Sequence, residues 1–469
     1  MIVAFALLSL ALAAASTPPK TFRVDYFHTG NATEERFGVD RLVVEPLPWP
    51  GNPRQSVDDT NLGKYFFEVR DRASNRVLYS RGFSSIYGEW ELTSEAKIRF
   101  RTFHESLRFP VPNEPVQILV KKRDPTDNAF REKWSLIVDP KDIFVDPSPP
   151  PSAGALITLQ SRGSSSEKLD LLILGDGYAA SQRAKCDHDA HRLVDTLFNV
   201  APFKQRRDDF NVWGLCPISS EAGISRPSLG IHVRSAVGAT YDAFGSERYV
   251  LTFDNRAFRE LASNAPYEAV VILVNGRTYG GGGIFNLYST VAADSLWSPY
   301  LFVHEFGHHL AGLADEYFTS ETAYESHPIR PEPWEPNVTA LRDPKQVKWQ
   351  SLLSPATPIP TPWNKDAFEN WEAEIQKRRK QIRAERRPES EMDALFREEK
   401  LQETRILASE KYAGKVGAFE GANYESKGYF RPQLDCIMFS RDEVPFCSVC
   451  GEAINRVIDL YSRPRSQSR

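Results

Sequence analysis

The chain has 469 residues, of which 41% are hydrophobic, so it is long and apolar enough to bury sizeable cores in two domains or more. Its formal net charge is −4. This balance leaves no global basic excess of the kind that nucleic-acid-binding proteins use, so nucleic acid is not predicted as a partner.

The first residues form a short apolar segment. Residues 1–16 are mostly apolar and end in the small residues Ala15 and Ser16, and Pro18 follows shortly after. This pattern is typical of a cleaved secretory signal peptide. The segment is shorter than the about 20 residues that a membrane span needs, and no other segment is long and apolar enough. The sequence predicts a secreted or extracellular protein without a transmembrane segment, with a periplasmic or surface-associated location as the alternative.

Residues 20–143 alternate polar and apolar residues in short runs, for example at 21–27 and 116–120. Turn residues separate these runs, so the segment is predicted to form an all-β sandwich domain. The proline-rich residues 144–153 are predicted to be a stiff linker. The role of the N-terminal domain stays open between a packing module and a module that binds a partner or a glycan.

Strand and helix signals alternate in residues 154–465, which are predicted to form a second, mixed α/β domain. Apolar runs predict buried strands, and the segments between them have helical patterns. The predicted strands are 169–174, 210–215 and 269–274, and the predicted helices are 179–199 and 255–262.

A run of glycines follows the last of these strands and includes Gly281 and Gly282. A glycine-rich strand at a sheet edge lets an extended peptide approach closely and pair with its backbone. Gly281 and Gly282 are therefore candidates for a substrate rim, with a mobile loop or a bulge as the alternatives.

The sequence HEFGH at 304–308 places two imidazoles four residues apart. On a helix, His304 and His308 project from one face about one turn apart, so both can bind a single metal ion. Glu305 then lies beside the metal, where it can take a proton from water that the metal has acidified and pass it to a leaving amine. The pattern predicts one catalytic zinc ion and hydrolysis of an amide bond.

The flanking residues predict the limits of this helix. Ser298 is the predicted N-cap, Pro299 suits the first helical position, and Gly312 suits the residue after the last turn. His309 points about 100° away from His308 around the helix, so it is predicted to be structural.

Catalytic zinc usually keeps three protein ligands and one open position. A turn at Gly312 can bring Asp315 back toward the metal, which makes Asp315 the first candidate for the third ligand. Glu316, Glu321 and Glu325 are the alternatives. Asp315 could instead orient one of the histidines without touching the metal.

Residues 366–412 form a charged stretch that Pro388 divides. The stretch is predicted to form one or two solvated helices inserted into the second domain, where they could wall one side of the cleft. The basic run at 376–383 is predicted to be a solvated helix face rather than a contact for an anionic partner.

Three residues nearer the C-terminus are candidates for supporting roles. Tyr424 or Tyr429 could donate a hydrogen bond to the oxyanion that forms when water attacks a peptide carbonyl, or could be a core or rim aromatic. Met438 could form an apolar floor beneath the metal, with ordinary core packing as the alternative.

The chain contains five cysteines, so at least one thiol is free or pairs with another chain if the protein is secreted. Cys447 and Cys450 form a CxxC pair, which could be half of a structural zinc site or a redox pair, but no second CxxC or suitable histidine pair accompanies it in the sequence. A disulfide between Cys436 and either Cys447 or Cys450 is the preferred prediction, because it would brace the region around Met438.

Five segments of the second domain are similar, in this order, to the immunoglobulin-A-peptidase-like zinc metallopeptidases, metallopeptidase family sixty-four. They are LDLLILGDGYAASQ (169–182), the glycine run, HEFGHHLAGLADEYF (304–318), NYESKGYFRPQLDCIMFS (423–440) and VPFCSVCGEAI (444–454). The resemblance covers most of residues 154–465.

This resemblance implies a secreted zinc endopeptidase with a β-rich N-terminal domain and an α/β zincin-like catalytic domain, in which a mixed sheet carries the active-site helix and a Met-turn contains Met438. It implies His304, His308 and Asp315 as ligands and Glu305 as the base. It does not imply that immunoglobulin A is the substrate. The spacing after His308 is one residue longer than in the metzincin pattern HExxHxxGxxH.

The function predicted from the sequence is therefore a secreted zinc-dependent endopeptidase that acts on protein or peptide substrates. The alternative is a secreted or surface binding protein that uses the zincin domain as a scaffold. Glu305 argues against a scaffold, which would not need a base.

Overall fold

The structure is a computed structural model that describes residues 18–320, 322–324, 330–442 and 444–462. The predicted signal peptide lies outside these residues, as do Glu321 and Glu325, two of the alternative ligands. Among the described residues, no helix combines the length and the apolar character that a membrane crossing requires.

The N-terminal region consists mainly of strands. Its elements are β1 (Lys20–Gly30), β2 (Glu35–Pro48), β3 (Tyr65–Asp71), β4 (Val77–Phe83), the short helix α1 (Ile86–Trp90), β5 (Arg101–Pro110), β6 (Val116–Arg123), β7 (Phe130–Val138) and β8 (Val145–Asp146). Two four-stranded sheets form, in the orders β5-β1-β2-β8 and β4-β3-β6-β7. Buried side chains from both sheets make one hydrophobic cluster. The prediction of a β-rich N-terminal region is confirmed.

The segment predicted as a linker is attached to the protein at both ends. Strand β8 lies inside it and pairs in parallel with β2, with Leu42 opposite Val145. At the other end, Ala153 is buried in a hydrophobic cluster of the following domain. The proline-rich residues therefore run along the surface between two fixed points.

The rest of the chain is a mixed α/β region. Its strands are β9 (Ile157–Gln160), β10 (Leu169–Asp176), β11 (Phe210–Leu215), β12 (Ala239–Thr240), β13 (Leu251–Thr252), β14 (Ala269–Val274), β15 (Gly281–Ile284), β16 (Tyr288–Ala292), β17 (Phe419–Ala422) and β18 (Glu425–Arg431). Its helices are α2 (Arg183–Leu197), α3 (Asn255–Ala262), α4 (Ser298–Ala311), α5 (Lys365–Ala384), α6 (Glu389–Ala408) and α7 (Ser448–Tyr461).

A six-stranded sheet organises this region, in the order β15-β16-β14-β10-β11-β9. The four inner strands are parallel, and the edge strands β15 and β9 are antiparallel to their neighbours. On β10, Leu171 and Ile173 face the cluster that contains α2, α4 and α7, whereas Leu172 and Leu174 face the opposite cluster. Because both faces of the sheet are covered, the inner strands read as continuous apolar runs, which is why their positions were predictable from the sequence.

The cysteine pairing predicted from the sequence is wrong. The disulfide joins Cys186 of α2 to Cys216, which directly follows β11. Helix α2 packs back on the sheet and brings Cys186 beside the end of that strand. No local sequence pattern predicts this contact. Cys436, Cys447 and Cys450 are buried free thiols.

The N-terminal region packs directly on the central sheet. Ile86, Tyr87 and Trp90 of α1 belong to the same hydrophobic cluster as the side chains of β14 on that face of the sheet. Arg41 of β2 also forms an ion pair with Glu260 of α3, with Nη2 2.7 Å from Oε1. The two regions therefore share a core.

The charged stretch forms the two helices α5 and α6, which flank Pro388 as predicted. The predicted solvation is only partial: Lys377 and Lys380 of the basic run are exposed, whereas Ile375 and Phe396 join the main core. Arg379, in the middle of the basic run, is 8% exposed, lies over the Phe396 ring and pairs with Glu247. The apolar residues of α5 and α6 recur at helical spacing, so one side of the helix pair is buried although the stretch is highly charged.

Candidate metal centre and cleft

A cleft of about 860 Å³ opens beside α4. The parts of the chain that line it include the N-terminal region through Glu89, the segment around Arg248, the helix α4 itself, and the α5–α6 pair through Glu372 and Glu399. The α5–α6 pair thus forms one wall, as predicted from the sequence.

Helix α4 carries the predicted metal-binding motif. Its first residue is Ser298, so this serine is not the N-cap; its hydroxyl instead accepts a hydrogen bond from Arg192 of α2 at 3.1 Å. Gly312 ends the helix in the left-handed region with φ of 60°, where glycine is unstrained, and its N–H donates to the His308 carbonyl. The C-terminal prediction is confirmed.

The turn after Gly312 returns Asp315 to the two histidines. His304 Nε2 lies 3.0 Å from Asp315 Oδ1, and His308 Nε2 lies 3.2 Å from the same oxygen. The two Nε2 atoms are 3.2 Å apart. The structure therefore brings three metal-ligand atoms into one small triangle, and Asp315, rather than Glu316, completes it.

The Nδ1 atoms of both histidines are hydrogen-bonded to backbone carbonyls. His304 Nδ1 donates to the Ile437 carbonyl at 2.9 Å, and His308 Nδ1 donates to the Leu313 carbonyl at 2.5 Å. These bonds hold each ring through Nδ1 and direct each Nε2 at the same point, so Nε2 is the nitrogen that can offer a lone pair to a metal ion.

The triangle fits a zinc ion. Nitrogen and oxygen ligands about 2.0–2.1 Å from a tetrahedral ion lie about 3.3 Å apart, close to the observed separations. Asp315 Oδ1 is buried and faces both Nε2 atoms, so all three ligand atoms are directed at the same point. Burial lowers the pKa of His308, but the adjacent Asp315 carboxylate outweighs burial and raises this pKa to about 9. A metal ion that binds here displaces that proton.

Glu305 lies next to the triangle, with a carboxylate oxygen within 4.8 Å of the ligand atoms of His304 and His308. Burial raises the pKa of Glu305 above that of an ordinary glutamate. Its carboxylate packs against Gly281, where a Cβ atom would lie 3.2 Å from Glu305 Oε1. A carboxylate in this position can exchange protons with a molecule in the cleft.

The predicted substrate rim lies on β15, which packs directly against α4. A Cβ atom on Gly283 would lie 2.4 Å from the Glu305 carbonyl oxygen, so glycine is required for this approach. The backbone groups of Gly281 are already hydrogen-bonded to the segment 248–250, because its N–H donates to the Arg248 carbonyl and its carbonyl accepts from the Val250 N–H. Gly281 and Gly282 line the cleft, but Gly281 has no free backbone group for a peptide.

Tyr424 lines the cleft and contacts one residue of the triangle. Its hydroxyl donates to Asp315 Oδ2, the carboxylate oxygen that does not face the histidines. It stands in the turn between β17 and β18 with φ of 63°, a conformation that tyrosine rarely adopts, after Asn423 with φ of 53°. Tyr429 donates to the Pro331 carbonyl and does not contact the triangle.

Among the cleft residues that were not predicted from the sequence, Arg248 and Tyr317 lie beside the triangle. Arg248 Nη2 lies 3.1 Å from the Tyr317 hydroxyl, and the Tyr317 ring stacks beside His304 with centroids 6.3 Å apart. Tyr317 follows the HEFGH motif closely, so its position was a usable signal. Arg248 lies in an irregular segment far from the motif, so no sequence signal indicated that it would reach the cleft.

Met438 lies beneath α4 in a tight turn, where the Phe439 and Ser440 N–H groups donate to the Cys436 carbonyl. It is fully buried, and its sulfur would lie 3.2 Å from a Cβ atom on Gly307, between the two histidine turns. The methionine thus supports the helix from the side opposite the cleft.

His309 is structural, as predicted. Its Nδ1 donates to the Ile284 carbonyl, its Nε2 accepts from the Val270 N–H, and burial lowers its pKa to about 4. This neutral ring joins α4 to β15 and β14.

Comparison with known protein families is consistent with this geometry. The sequence model described as IgA Peptidase M64 matches residues 157–458, which is more than half of the chain. A second model, described as Peptidase M64 N-terminus, matches residues 15–135. A search among curated proteins finds no match.

Proposed function

The chain belongs to the IgA peptidase M64 family, and on that basis we propose that it is a secreted zinc-dependent endopeptidase. The observation that carries the proposal is the convergence of His304, His308 and Asp315 on one point of an open cleft, with Glu305 beside them. As a peptidase it acts on protein or peptide substrates.

The three ligands are two imidazole nitrogens and one carboxylate oxygen, a set that zinc accepts in catalytic sites. A zinc ion held by these three residues would supply Lewis acidity toward the scissile carbonyl and would lower the pKa of a nearby water to about neutral. The backbone carbonyls of Ile437 and Leu313 hold the two rings in the binding orientation.

Glu305 acts as general base and then as general acid. It takes a proton from the attacking water and delivers it to the amine that leaves. Its partial burial supports this role, because a carboxylate with a raised pKa can both accept and return a proton.

Arg248 and Tyr317 are the best placed donors for the oxyanion. Both line the cleft on the side of the metal triangle, and Arg248 interacts electrostatically with Asp315 and Glu305. A guanidinium and a phenol hydroxyl can stabilise the negative charge that develops on the carbonyl oxygen. Tyr424 takes the role of orienting Asp315.

The active-site architecture that we propose is metzincin-like. A helix carries two histidines, a glycine turn returns the third ligand, and a buried methionine in a distant turn lies beneath them. The third ligand is an aspartate, and the turn is one residue longer than in the metzincin pattern.

Secretion is supported by two features. The apolar segment at 1–16 has the composition of a signal peptide, and the disulfide between Cys186 and Cys216 suits an oxidising compartment.

The proposal is tested with purified protein and a peptide library analysed by mass spectrometry. We expect internal peptide bonds to be cleaved, a chelator to abolish the cleavage, and added zinc to restore it. Cleavage that resists complete removal of the metal would contradict the zinc mechanism. Retention of zinc without cleavage of any peptide would favour a binding scaffold.

A further inference from the structure

A second group of metal-ligand side chains lies behind the proposed catalytic centre. Glu316, Cys436, Cys447 and Cys450 each place one ligand atom within 4.8 Å of the others. All four residues are buried, and the most exposed, Cys447, is only 4% exposed. The group is separate from the cleft, whose lining contains none of them.

The sulfur atoms are spaced for a shared metal ion. Cys436 Sγ and Cys450 Sγ are 3.9 Å apart. Sulfur atoms about 2.3 Å from a tetrahedral zinc ion lie about 3.8 Å apart, whereas a disulfide needs about 2.05 Å.

Backbone N–H groups point at the sulfurs. The Cys447 N–H donates to Cys436 Sγ at 3.2 Å, and the Cys450 N–H donates to Cys447 Sγ at 3.4 Å. Cys447 is also the N-cap of α7, so the positive end of the helix dipole faces this sulfur. Both effects favour thiolates, which are the metal-binding form of cysteine.

Glu316 supplies the oxygen ligand. Its Oε1 accepts from Asn337 Nδ2 at 2.9 Å and lies 3.2 Å from Cys450 Sγ. Its Oε2 is buried and has no hydrogen-bond partner within the described part of the chain. A fully buried carboxylate with an unused oxygen, among three thiols, fits a site that holds a cation.

We propose that Glu316, Cys436, Cys447 and Cys450 bind a second zinc ion in a closed, structural site. Three sulfurs and one carboxylate oxygen complete the four-coordinate shell, so no position is left for water or substrate. Such an ion takes the place of three thiol protons when it binds.

This second ion would brace the catalytic centre. Glu316 directly follows Asp315, and its N–H donates to the Met438 carbonyl at 2.9 Å. Cys436 directly precedes Ile437, whose carbonyl orients His304. The second site therefore ties together the two segments that position the third ligand and the first histidine.

The experiment uses the full-length protein and counts metal by mass spectrometry of the elements. We expect two zinc ions per chain in the unaltered protein and one in the double variant His304→Ala/His308→Ala. When cobalt replaces zinc, both proteins should show a sulfur-to-cobalt charge-transfer band, because only the second site contains sulfur.

These readouts do not depend on peptidase activity. If the catalytic proposal fails, the charge-transfer band still appears. One metal per chain without that band would overturn the second site, as would a disulfide among Cys436, Cys447 and Cys450, or full reaction of these thiols with a thiol reagent in the native zinc-loaded protein.

Glu316→Gln is the conservative variant, since it keeps the shape of the side chain and a carbonyl oxygen for Asn337. We expect the second zinc to be released to a chelator at least about 10-fold more readily, while the catalytic zinc stays. Unchanged release of both ions would exclude Glu316 as a ligand.

Discussion

The protein contains two buried clusters made from the same residue types, and only one of them is suited to metal. In the N-terminal region, His28 lies between Glu35 and Glu105. At the cleft, His304 and His308 face Asp315. Each cluster joins imidazole to carboxylate at about hydrogen-bond distance, yet their ring nitrogens have different partners.

Both nitrogens of His28 face carboxylates, Nδ1 at 3.1 Å from Glu105 and Nε2 at 3.2 Å from Glu35. The ring is stacked between Tyr87 and Phe37, with centroids 3.8 and 4.1 Å away. With a carboxylate beside each nitrogen, neither nitrogen of this ring is directed at a point that a metal ion could share with a second histidine.

At the cleft, one nitrogen of each histidine donates to a backbone carbonyl and the other is directed at a shared point. The comparison indicates that two features distinguish the cleft histidines from a structural ion pair: a backbone carbonyl accepts from one nitrogen of each ring, and the other nitrogens of the two rings meet at one point.

The largest effect is expected from removing a proposed ligand. His304→Ala should release the catalytic zinc and lower the cleavage rate at least about 10³-fold, because the ion supplies several kcal/mol of transition-state stabilisation. Zinc content and cleavage of a peptide substrate measure this. His28→Ala is the matched control and should keep both the zinc and the activity of its folded fraction. Equal zinc loss in the two variants would contradict the distinction.

A smaller effect is expected at the proposed base. Glu305→Gln should keep zinc but lower kcat about 10²–10⁴-fold, because the amide cannot accept the proton from water. Metal analysis and steady-state kinetics on the same preparation separate the two properties. Undiminished kcat with full zinc occupancy would remove Glu305 from the mechanism.

The metal triangle was largely predictable because its signals are local. Two ligands and the base lie within one helical turn, and Asp315 follows after a short turn at Gly312. Arg248 was not predictable, because tertiary packing alone brings it to the cleft. The second cluster was predicted only in part: Cys436 was connected to the CxxC pair, but as a disulfide partner, and Glu316, which is 120 residues from Cys436 in the sequence, was not connected to it.

In the fold, the inner strands were predictable because burial on both faces makes them uniformly apolar. The partner of Cys186 was not, because it depends on how α2 returns to the sheet. The helix pair α5–α6 was predicted from its charge and from Pro388, but its buried face was underestimated because few apolar residues mark it.

A moderate effect is expected from the residue that orients Asp315. Tyr424→Phe removes the hydrogen bond to Asp315 Oδ2 and should lower zinc affinity or activity about 10–100-fold. Tyr429→Phe is the control, since its hydroxyl donates to Pro331 and should leave zinc affinity unchanged. Competition with a chelator measures both affinities. Equal affinities in the two variants would show that Tyr424 does not support the ligand.

At the N-terminal cluster, substitution of His28 should affect stability and not catalysis. Burial lowers the pKa of His28, but Glu105 and Glu35 outweigh it and raise this pKa above its ordinary value. Glu35 of β2 and Glu105 of β5 face His28 directly; Lys122 of β6 and Lys133 of β7 pair with Glu35, and the Tyr65 hydroxyl of β3 donates to it.

Because the folded-state pKa is raised, the His28 contribution is fully present below the unfolded-state pKa of about 6.5 and is lost as pH rises through the folded-state value. His28→Ala should therefore cost about 3–5 kcal/mol of unfolding free energy at mildly acidic pH, and less at alkaline pH. Denaturant unfolding at several pH values measures this difference, with the more exposed His191→Ala as control, expected within about 0.5 kcal/mol of the unaltered protein. A cost that grows with pH would mean that His28 is neutral in the folded protein, and the contrast between the two clusters would then rest on geometry alone.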